Sequence, residues 1–324
     1  IGAAFAAAQS EKLEFIEADD ADAAITSLRA ALDQSPQDAA ISHLKRHGVS
    51  VIFAAASPLR HFDAQTRVLT LSRQADPATL IFQLYLQLAL IAQNQLLDAT
   101  LDFANFQTPE ARSIAKVGLA NYFAGAVMMP YGVFLQAAKD HRHDLELLAA
   151  QFDASLEQVA HRLSTLQRPG DKGVPFFFVR VDQAGTITKR HSATTLQFAR
   201  YGGACPLWNV HRAFETPGQF LRQLAETPDG ARYFCLARDI SKPGGAWGAP
   251  VRRFAIGLGC EVKHAGDIVY ADHMQVDAAQ AYEPIGISCR ICERRDCHQR
   301  SVPPLGRTLN VDVNTRATLP YQLE

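Results

Sequence analysis

The sequence has almost no net charge. Its 32 Lys plus Arg stand against 33 Asp plus Glu, a formal balance of −1, so no global field draws the chain to nucleic acid or to an anionic membrane. Any anion site has to be local. Long apolar runs are also missing. The longest, Ala78 to Ala92, is broken by Gln83 and Gln87 and falls short of the roughly 20 residues needed to cross a bilayer, so it reads as a buried helix. The N-terminus, IGAAFAAAQSEKLEF, carries neither a methionine nor a basic stretch before its alanines. It reads as a cut inside a longer protein, with a segment expected upstream, and not as a signal peptide. Cysteine is sparse, six in 324 residues, yet three fall within residues 289–297. A secreted disulfide framework is denser, so this usage points to a reduced, cytoplasmic chain with a metal site.

What is present is ordinary globular composition, 48% hydrophobic and 20% charged, at a length that predicts two domains or three. The expected class is α+β. Helical periodicity runs from residue 1 to about 46 and ends in HLKRHG, after which VSVIF and RVLTLS read as short strands separated by a loop through Pro58. Asp76-Pro77 supplies a cap and a first-turn proline for an apolar helix over about 77–97, and a second helix runs from Pro109 to Met129. Residues 143–167 hold two helical runs joined at Phe152-Asp153-Ala154, with Ser155 and Gln158 at capping-box spacing. That is the outline of a helix-turn-helix. Beyond Pro169-Gly170 the stretches VPFFFVRV, TITKR, ARYFCLARDI, VRRFAIGLGCEV and DIVYAD read as strands of a mixed α/β, GAF/PAS-like domain with an antiparallel sheet. The expected boundaries are 1–138, a connector at 139–170, and 171–324 with a Cys-rich tail.

Cys289, Cys292 and Cys297 have C-x2-C-x4-C spacing, which brings thiolates onto one metal or cluster edge. Three ligands leave a closed site one short. Cys260, His298 and Cys205 are the candidates for the fourth, and Cys260 is favoured because a thiolate from another strand ties the tail to the sheet. Arg290, Arg294, Arg295 and Arg300 are placed to offset the thiolate charge and to donate to sulfurs. Zinc, an iron–sulfur cluster and unliganded reduced thiols all remain open on spacing alone. Cys235, between aromatic neighbours, reads as core.

Two further readings are weaker. Cys205, Asn209 and His211 form a hydrolase-like set on paper, without any sign that they converge. The segment 143–167 offers Gln158, His161 and Arg162 to DNA, but its acids balance its bases, so a structural connector is preferred.

Helix 77–97 followed by LANYFAGAVMMP resembles the layout of ImmA/IrrE-type gluzincin peptidases, in which the first helix bears H-E-x-x-H and the second a Glu before A-N-x-F-A. In this sequence the matching residues are Leu86-Gln87-Leu88-Ala89-Leu90 and Leu119. Leucine has no lone pair for zinc and Gln cannot act as the base, so this resemblance implies a degenerate, non-enzymatic domain. Leu86, Leu90 and Leu119 with Tyr85 and Tyr122 either complete a core or line a small-ligand pocket.

ANYFAGAVMMPYGVFLQAA, LEQVAHRLSTLQRPGDKGVPFFFVRVDQAG, YGGACPLWNVHRAF and IGISCRICERRDCHQRSVPPL resemble the short-chain fatty-acyl-CoA transcriptional regulators of bacteria, a family that includes regulators of propionate, methylcitrate and glyoxylate-bypass genes. The resemblance covers essentially the whole chain. It implies a DNA-binding, Xre-type helix-turn-helix upstream of Ile1, a CoA or short-chain acyl-CoA effector, and an iron–sulfur cluster (4Fe-4S) on Cys260, Cys289, Cys292 and Cys297. CoA needs cations for its phosphates and a ring to stack on its adenine. Arg46, Arg60, Arg67, Lys189 and Arg190 are the candidate cations, and Tyr85 or Tyr122 the candidate platform. A symmetric dimer or higher homo-oligomer is expected for a reader of pseudo-palindromic DNA sites.

Overall fold

The computed structural model describes residues 35–55, 58–196, 198, 203–242 and 247–323. The described residues divide into two compact units, one within residues 35–138, 145–162 and 168–170, the other within 139–144, 163–167 and 171–323. The segment 139–170, expected as a separate connector, is therefore apportioned between them. The helical reading of residues 1–34 lies outside the described residues.

In the first unit, α1 (Pro36–Arg46) starts where the Ser35 hydroxyl accepts the Asp38 N–H at 3.2 Å and Pro36 presets the first turn. A three-stranded sheet follows, ordered β1 (Ser50–Ala54), β3 (Val68–Ser72), β2 (Arg60–Asp63), with β1 parallel and β2 antiparallel to β3. β2 lies in the stretch read as a loop. Its sequence, RHFD, has no apolar alternation, and only pairing with β3 makes it a strand. α2 (Pro77–Ala92) opens on Asp76, whose carboxylate accepts the Thr79 N–H at 2.9 Å. Instead of running on to residue 97, it ends where Gln93 leaves helical geometry (φ −109°, ψ 18°), and α3 (Asn94–Asp102) departs at 74°. α4 (Pro109–Met128), capped by Thr108, packs on α2. Its buried alanines at 115, 120 and 124 let the two backbones approach over Leu84 and Leu88. α5 (Tyr131–Asp140) turns off after Pro130.

α6 (Leu145–Gln151) and α7 (Leu156–Ser164) occupy the helix-turn-helix segment. The capping box is formed: Ser155 donates its N–H to Gln158 Oε1 at 2.7 Å, and the Ser155 hydroxyl accepts the Gln158 N–H at 3.3 Å.

The second unit is built on a six-stranded sheet ordered β5 (Ile187–Ser192), β4 (Phe177–Asp182), β8 (Phe254–Glu261), β7 (Arg232–Asp239), β6 (Leu221–Glu226), β9 (Glu283–Pro284). Every pairing is antiparallel except β6 with β9. Strand alternation sends Phe177, Val179, Val181, Tyr233, Cys235, Ala237 and Ala255 to one face, where Trp208 and, from the 3-10 segment that follows it, Val210 and Ala213 cover them. The closest approach is at Gly259. A Cβ there would stand 2.5 Å from the Phe234 carbonyl and inside the Phe177 ring contact. DIVYAD is not a strand: it starts on the last residue of one 3-10 turn, Val262–Asp267, and contains a second, Val269–Ala271. A two-stranded ribbon, β10 (Leu309–Asn310) with β11 (Gln322–Leu323), lies in the tail. The whole is α+β, a helical unit with a small three-stranded sheet and a unit built on the six-stranded sheet. No single helix among the described residues is long and apolar enough to cross a membrane.

Candidate thiol and ligand sites

Two cysteines, Cys205 and Cys292, meet at Gly286. Cys205 is buried, and its sulfur accepts the backbone N–H groups of Gly286 and Leu207. Burial pushes this thiol up, and the neighbouring Cys289 and Cys292 sulfurs push in the same direction. Cys292 is also buried, and a Cβ on Gly286 would stand 2.9 Å from its sulfur. Residue 286 therefore has to be glycine for Cys205 and Cys292 to share it. Cys289 opens a 3-10 turn, and Cys292 donates its N–H back to the Cys289 carbonyl at 3.4 Å. Cys297, half-buried, follows five residues later in the same segment.

The arginines hold the loop through its backbone. Arg294 donates to the Ile285 carbonyl at 3.0 Å and the Glu226 carbonyl at 2.6 Å, anchoring the loop to the end of β6. Arg300, 6% exposed, donates to the carbonyls of Cys289 at 3.3 Å, Cys292 at 3.5 Å and Arg294. Its Nε is buried without a partner. A buried cationic donor left open beside Cys289 and Cys292 fits a soft, anionic thiolate-bound group. Among the described residues no three His, Cys, Asp or Glu side chains form a group that could hold a metal ion.

Cys260 does not join this group. It is fully buried on β8, opposite Phe234. Period-two alternation turns it to the sheet face away from Cys205, Trp208 and Ile285, which share a core with the odd-numbered β7 position Cys235. Burial in that apolar layer pushes its thiol far up. Cys205, and not Cys260, is therefore the thiol beside Cys289 and Cys292, and His298 is exposed. Cys235 is core as expected, its thiol pushed up to about 12 by complete burial.

The hydrolase set is not assembled. His211 bonds the backbone of Cys205 rather than its thiol. Asn209 donates its amide to the carbonyls of Leu221 at 3.0 Å and Cys235 at 3.2 Å.

In the first unit, Leu86, Leu88, Ala89 and Leu119 are core, and Leu90 is half-buried. Gln87, 4% exposed, accepts a hydrogen bond from the Arg60 guanidinium at 2.7 Å. A cation on β2 thus meets a neutral amide at the place of the peptidase base, and burial holds Arg60 below the usual guanidinium range. Tyr85 is 3% exposed with its hydroxyl donating to the Pro36 carbonyl at 3.1 Å, so it braces α1 and has no free face for a base. Tyr122 lies 5.7 Å from the Arg162 guanidinium. Arg46 is exposed at the end of α1, and Arg67 donates to the His47 carbonyl at 2.5 Å. Lys189 and Arg190 lie on β5, in the second unit, with the Lys189 amine 5.6 Å from the Phe178 ring centroid. The seven sequence candidates for CoA thus fall five in one unit and two in the other.

Sequence reasoning missed a cavity of about 480 Å³ in the second unit, lined by Lys139, Arg142, His143, Lys172, His264 and Asp267 among others. Its cations come from three separate stretches, so no local motif announced it.

Comparison with known proteins agrees with this architecture. The family model described as short-chain fatty acyl coenzyme A regulator, C-terminal, matches residues 165–321, and that of the IrrE N-terminal-like domain matches 44–164. A propionyl-CoA carboxylase regulator of Cereibacter sphaeroides is 66% identical over 285 residues, covering 88% of this chain and 61% of that protein. The HTH-type transcriptional regulator PrpR of Mycobacterium tuberculosis is 43% identical over 279 residues, covering 85% and 57%. The chain spans about three fifths of the length of these curated relatives. A solved structure, a Mycobacterium tuberculosis transcriptional regulator, superposes with a TM-score of 0.87 at 40% identity over 94% of each chain. With its two units matched in order, this chain belongs to the short-chain fatty acyl coenzyme A regulator family.

Proposed function

We propose that the chain is the effector-sensing portion of a cytoplasmic bacterial transcriptional regulator that answers short-chain acyl-CoA. DNA contact belongs to a further segment of the longer protein, and a homodimer presents two such segments to a pseudo-palindromic site. One observation carries the reading: 66% identity to a regulator of propionyl-CoA carboxylase across 88% of this chain. It is supported by the peptidase-like helix pair, whose metal positions are leucines and whose base position is the Arg60-bonded Gln87. Without zinc ligands or a general base, that unit has no hydrolytic machinery and serves as a binding or scaffolding body.

The thiol group adds a second input. Cys205, Cys289 and Cys292, with Cys297 as the fourth, would hold an iron–sulfur cluster, which when bound supplies a one-electron couple and an oxygen-labile centre. This chain's own contribution is the Gly286 N–H on the Cys205 sulfur, the open Arg300 Nε, and the Arg294 tether to β6. Such donors stabilise negative charge on sulfur. A ligand alters DNA affinity only by binding two states unequally, and the tail loop, tied through Arg294 to a sheet edge, is the element whose order such binding would shift.

The test is purification without oxygen, followed by iron and acid-labile sulfide analysis and calorimetry with acetyl-CoA, propionyl-CoA and CoA. Matched iron and sulfide with a broad band near about 400 nm, together with saturable acyl-CoA binding, is the expected result. Zinc alone would reduce the tail to a structural staple. The absence of heat with every CoA species would sink the effector reading.

A further inference from the structure

The cavity of the second unit has a built wall. Arg142 and His143 are consecutive non-glycine residues in the left-handed region, at φ 47° and 61°, two of only five such residues among those described. Backbone of this kind costs energy and persists where surrounding contacts hold it, commonly at ligand sites. The contacts are explicit. The Arg142 guanidinium grips both oxygens of Asp272 at 2.7 and 2.9 Å and reaches the carbonyls of Gly266 at 3.3 Å and Ile268 at 3.4 Å. The Val269 N–H returns to the Arg142 carbonyl at 2.9 Å. His143 is 4% exposed, its Nδ1 lies 2.9 Å from the Asp267 carbonyl, and its ring meets the edge of Phe176 at 5.4 Å.

The lining also holds charges that nothing neutralises. With Arg142 matched by Asp272, the remaining cations are Lys139 and Lys172, and neither ammonium has a partner among the described residues. Lys172 stands on a segment fixed by the Gly173 N–H on the Leu166 carbonyl at 2.8 Å. The Asp267 carboxylate, 62% exposed and 3.8 Å from His264 Nδ1, is an acceptor on this rim. A Cβ on Gly266 would meet nothing within 4 Å, so the floor there is open. Two unpaired ammonium groups around one cavity call for an anion with more than one charge. A carboxylate beside them calls for hydroxyl or amino donors on the same molecule. A volume of about 480 Å³ suits a nucleotide better than a bare phosphate.

We infer that this cavity is a nucleotide site: Lys139 and Lys172 take phosphate, Asp267 accepts from a ribose hydroxyl or base amino group, and the Arg142–Asp272 clamp fixes the wall. The inference rests on the acyl-CoA reading only in naming the source, since the phosphorylated adenosine end of CoA is one such nucleotide and a free adenine nucleotide is the other.

The experiment is calorimetry on the full 324-residue chain with adenosine 3′,5′-bisphosphate, ADP and CoA as separate probes, at two salt concentrations. Lys139→Glu/Lys172→Glu is compared with wild type, and Lys139→Gln/Lys172→Gln guards against a folding defect, with melting temperature checked for each. The expected result is saturable, salt-sensitive binding of adenosine 3′,5′-bisphosphate that weakens at least tenfold in the Gln pair and vanishes in the Glu pair. If CoA follows the bisphosphate, CoA is the source; if only ADP binds and is lost, the site takes free nucleotide. CoA bound with unchanged affinity by both pairs would overturn the cavity while leaving the effector reading intact. A wild-type chain that binds none of the three would overturn both.

Discussion

The sulfur of Cys205 accepts the backbone N–H of Gly286, and the same glycine leaves room for the Cys292 sulfur, which would stand 2.9 Å from any Cβ placed there. Two thiols 87 residues apart in sequence thus share one backbone position.

Gly286→Ala puts a methyl group into the Cys292 sulfur, with the loop held on one side by Arg294 and on the other by Arg300. Overpacking of this kind costs about 1–3 kcal/mol. A fall in urea midpoint and in bound iron is expected together. An unchanged midpoint would mean that the loop moves freely and that the shared position carries no constraint.

Cys205→Ser and Cys260→Ser should separate cleanly. The first removes a thiol from the Gly286 group and is expected to lower iron and sulfide content of anaerobically purified protein. The second places a hydroxyl in a fully buried apolar layer, costing about 1–3 kcal/mol with iron content unchanged per folded molecule. Iron lost from Cys260→Ser but retained by Cys205→Ser would reverse the assignment.

Removing the Arg60 guanidinium leaves the Gln87 carbonyl oxygen, 4% exposed as a residue, without its donor. Arg60→Leu is expected to lose about 1–3 kcal/mol in chemical denaturation, the usual penalty for an orphaned buried acceptor. Gln87→Glu, by contrast, forms a charge-assisted pair with Arg60 and should hold stability. It should acquire no zinc-dependent peptidase activity, because Leu86, Leu90 and Leu119 supply no ligand. Cleavage of a casein substrate by that variant would overturn the degenerate-peptidase register.

Stability of the second unit should fall with acidification. His143 and His191 are both held below the ordinary imidazole value, chiefly by burial. Below an unfolded-state pKa near about 6.5 the unfolded chain binds protons that the folded chain refuses. Stability is therefore full above that pH and declines as pH drops from it toward the folded values. Urea midpoints at three pH values spanning that window test the sign. His143→Gln with His191→Gln should flatten the slope, and an undiminished slope would place the titration elsewhere.

Local signals in the chain were faithful where the physics is local. Asp76-Pro77, Pro109 and Ser155 with Gln158 mark helix starts because cap hydrogen bonds join residues only three apart. The apolar strands from Phe177, Arg232 and Phe254 followed from composition, and the leucines at the peptidase positions removed zinc chemistry by residue type alone. Two local readings failed for a common reason. RHFD became β2 because β3 offers it a partner, and DIVYAD became 3-10 turns where the chain folds back through Val269 onto the Arg142 carbonyl.

The residues of the thiol group and the cavity were a different matter. C-x2-C-x4-C marked three members by spacing, but the next thiol depended on which sheet face each cysteine occupies. That face is set by strand register: Cys260 and Cys235 are one step out of phase on β8 and β7, and a shift of one residue exchanges core for opposite face. Likewise, Lys139, Lys172 and Asp267 became neighbours only through the left-handed turn at Arg142 and its grip on Asp272. Sequence by itself determined the capped helix starts, the apolar strands, the lost peptidase chemistry and the clustered tail cysteines, each fixed by residue type or short-range bonding. The tertiary structure alone decided which distant side chains share a site, because register and loop closure place groups that no spacing relates.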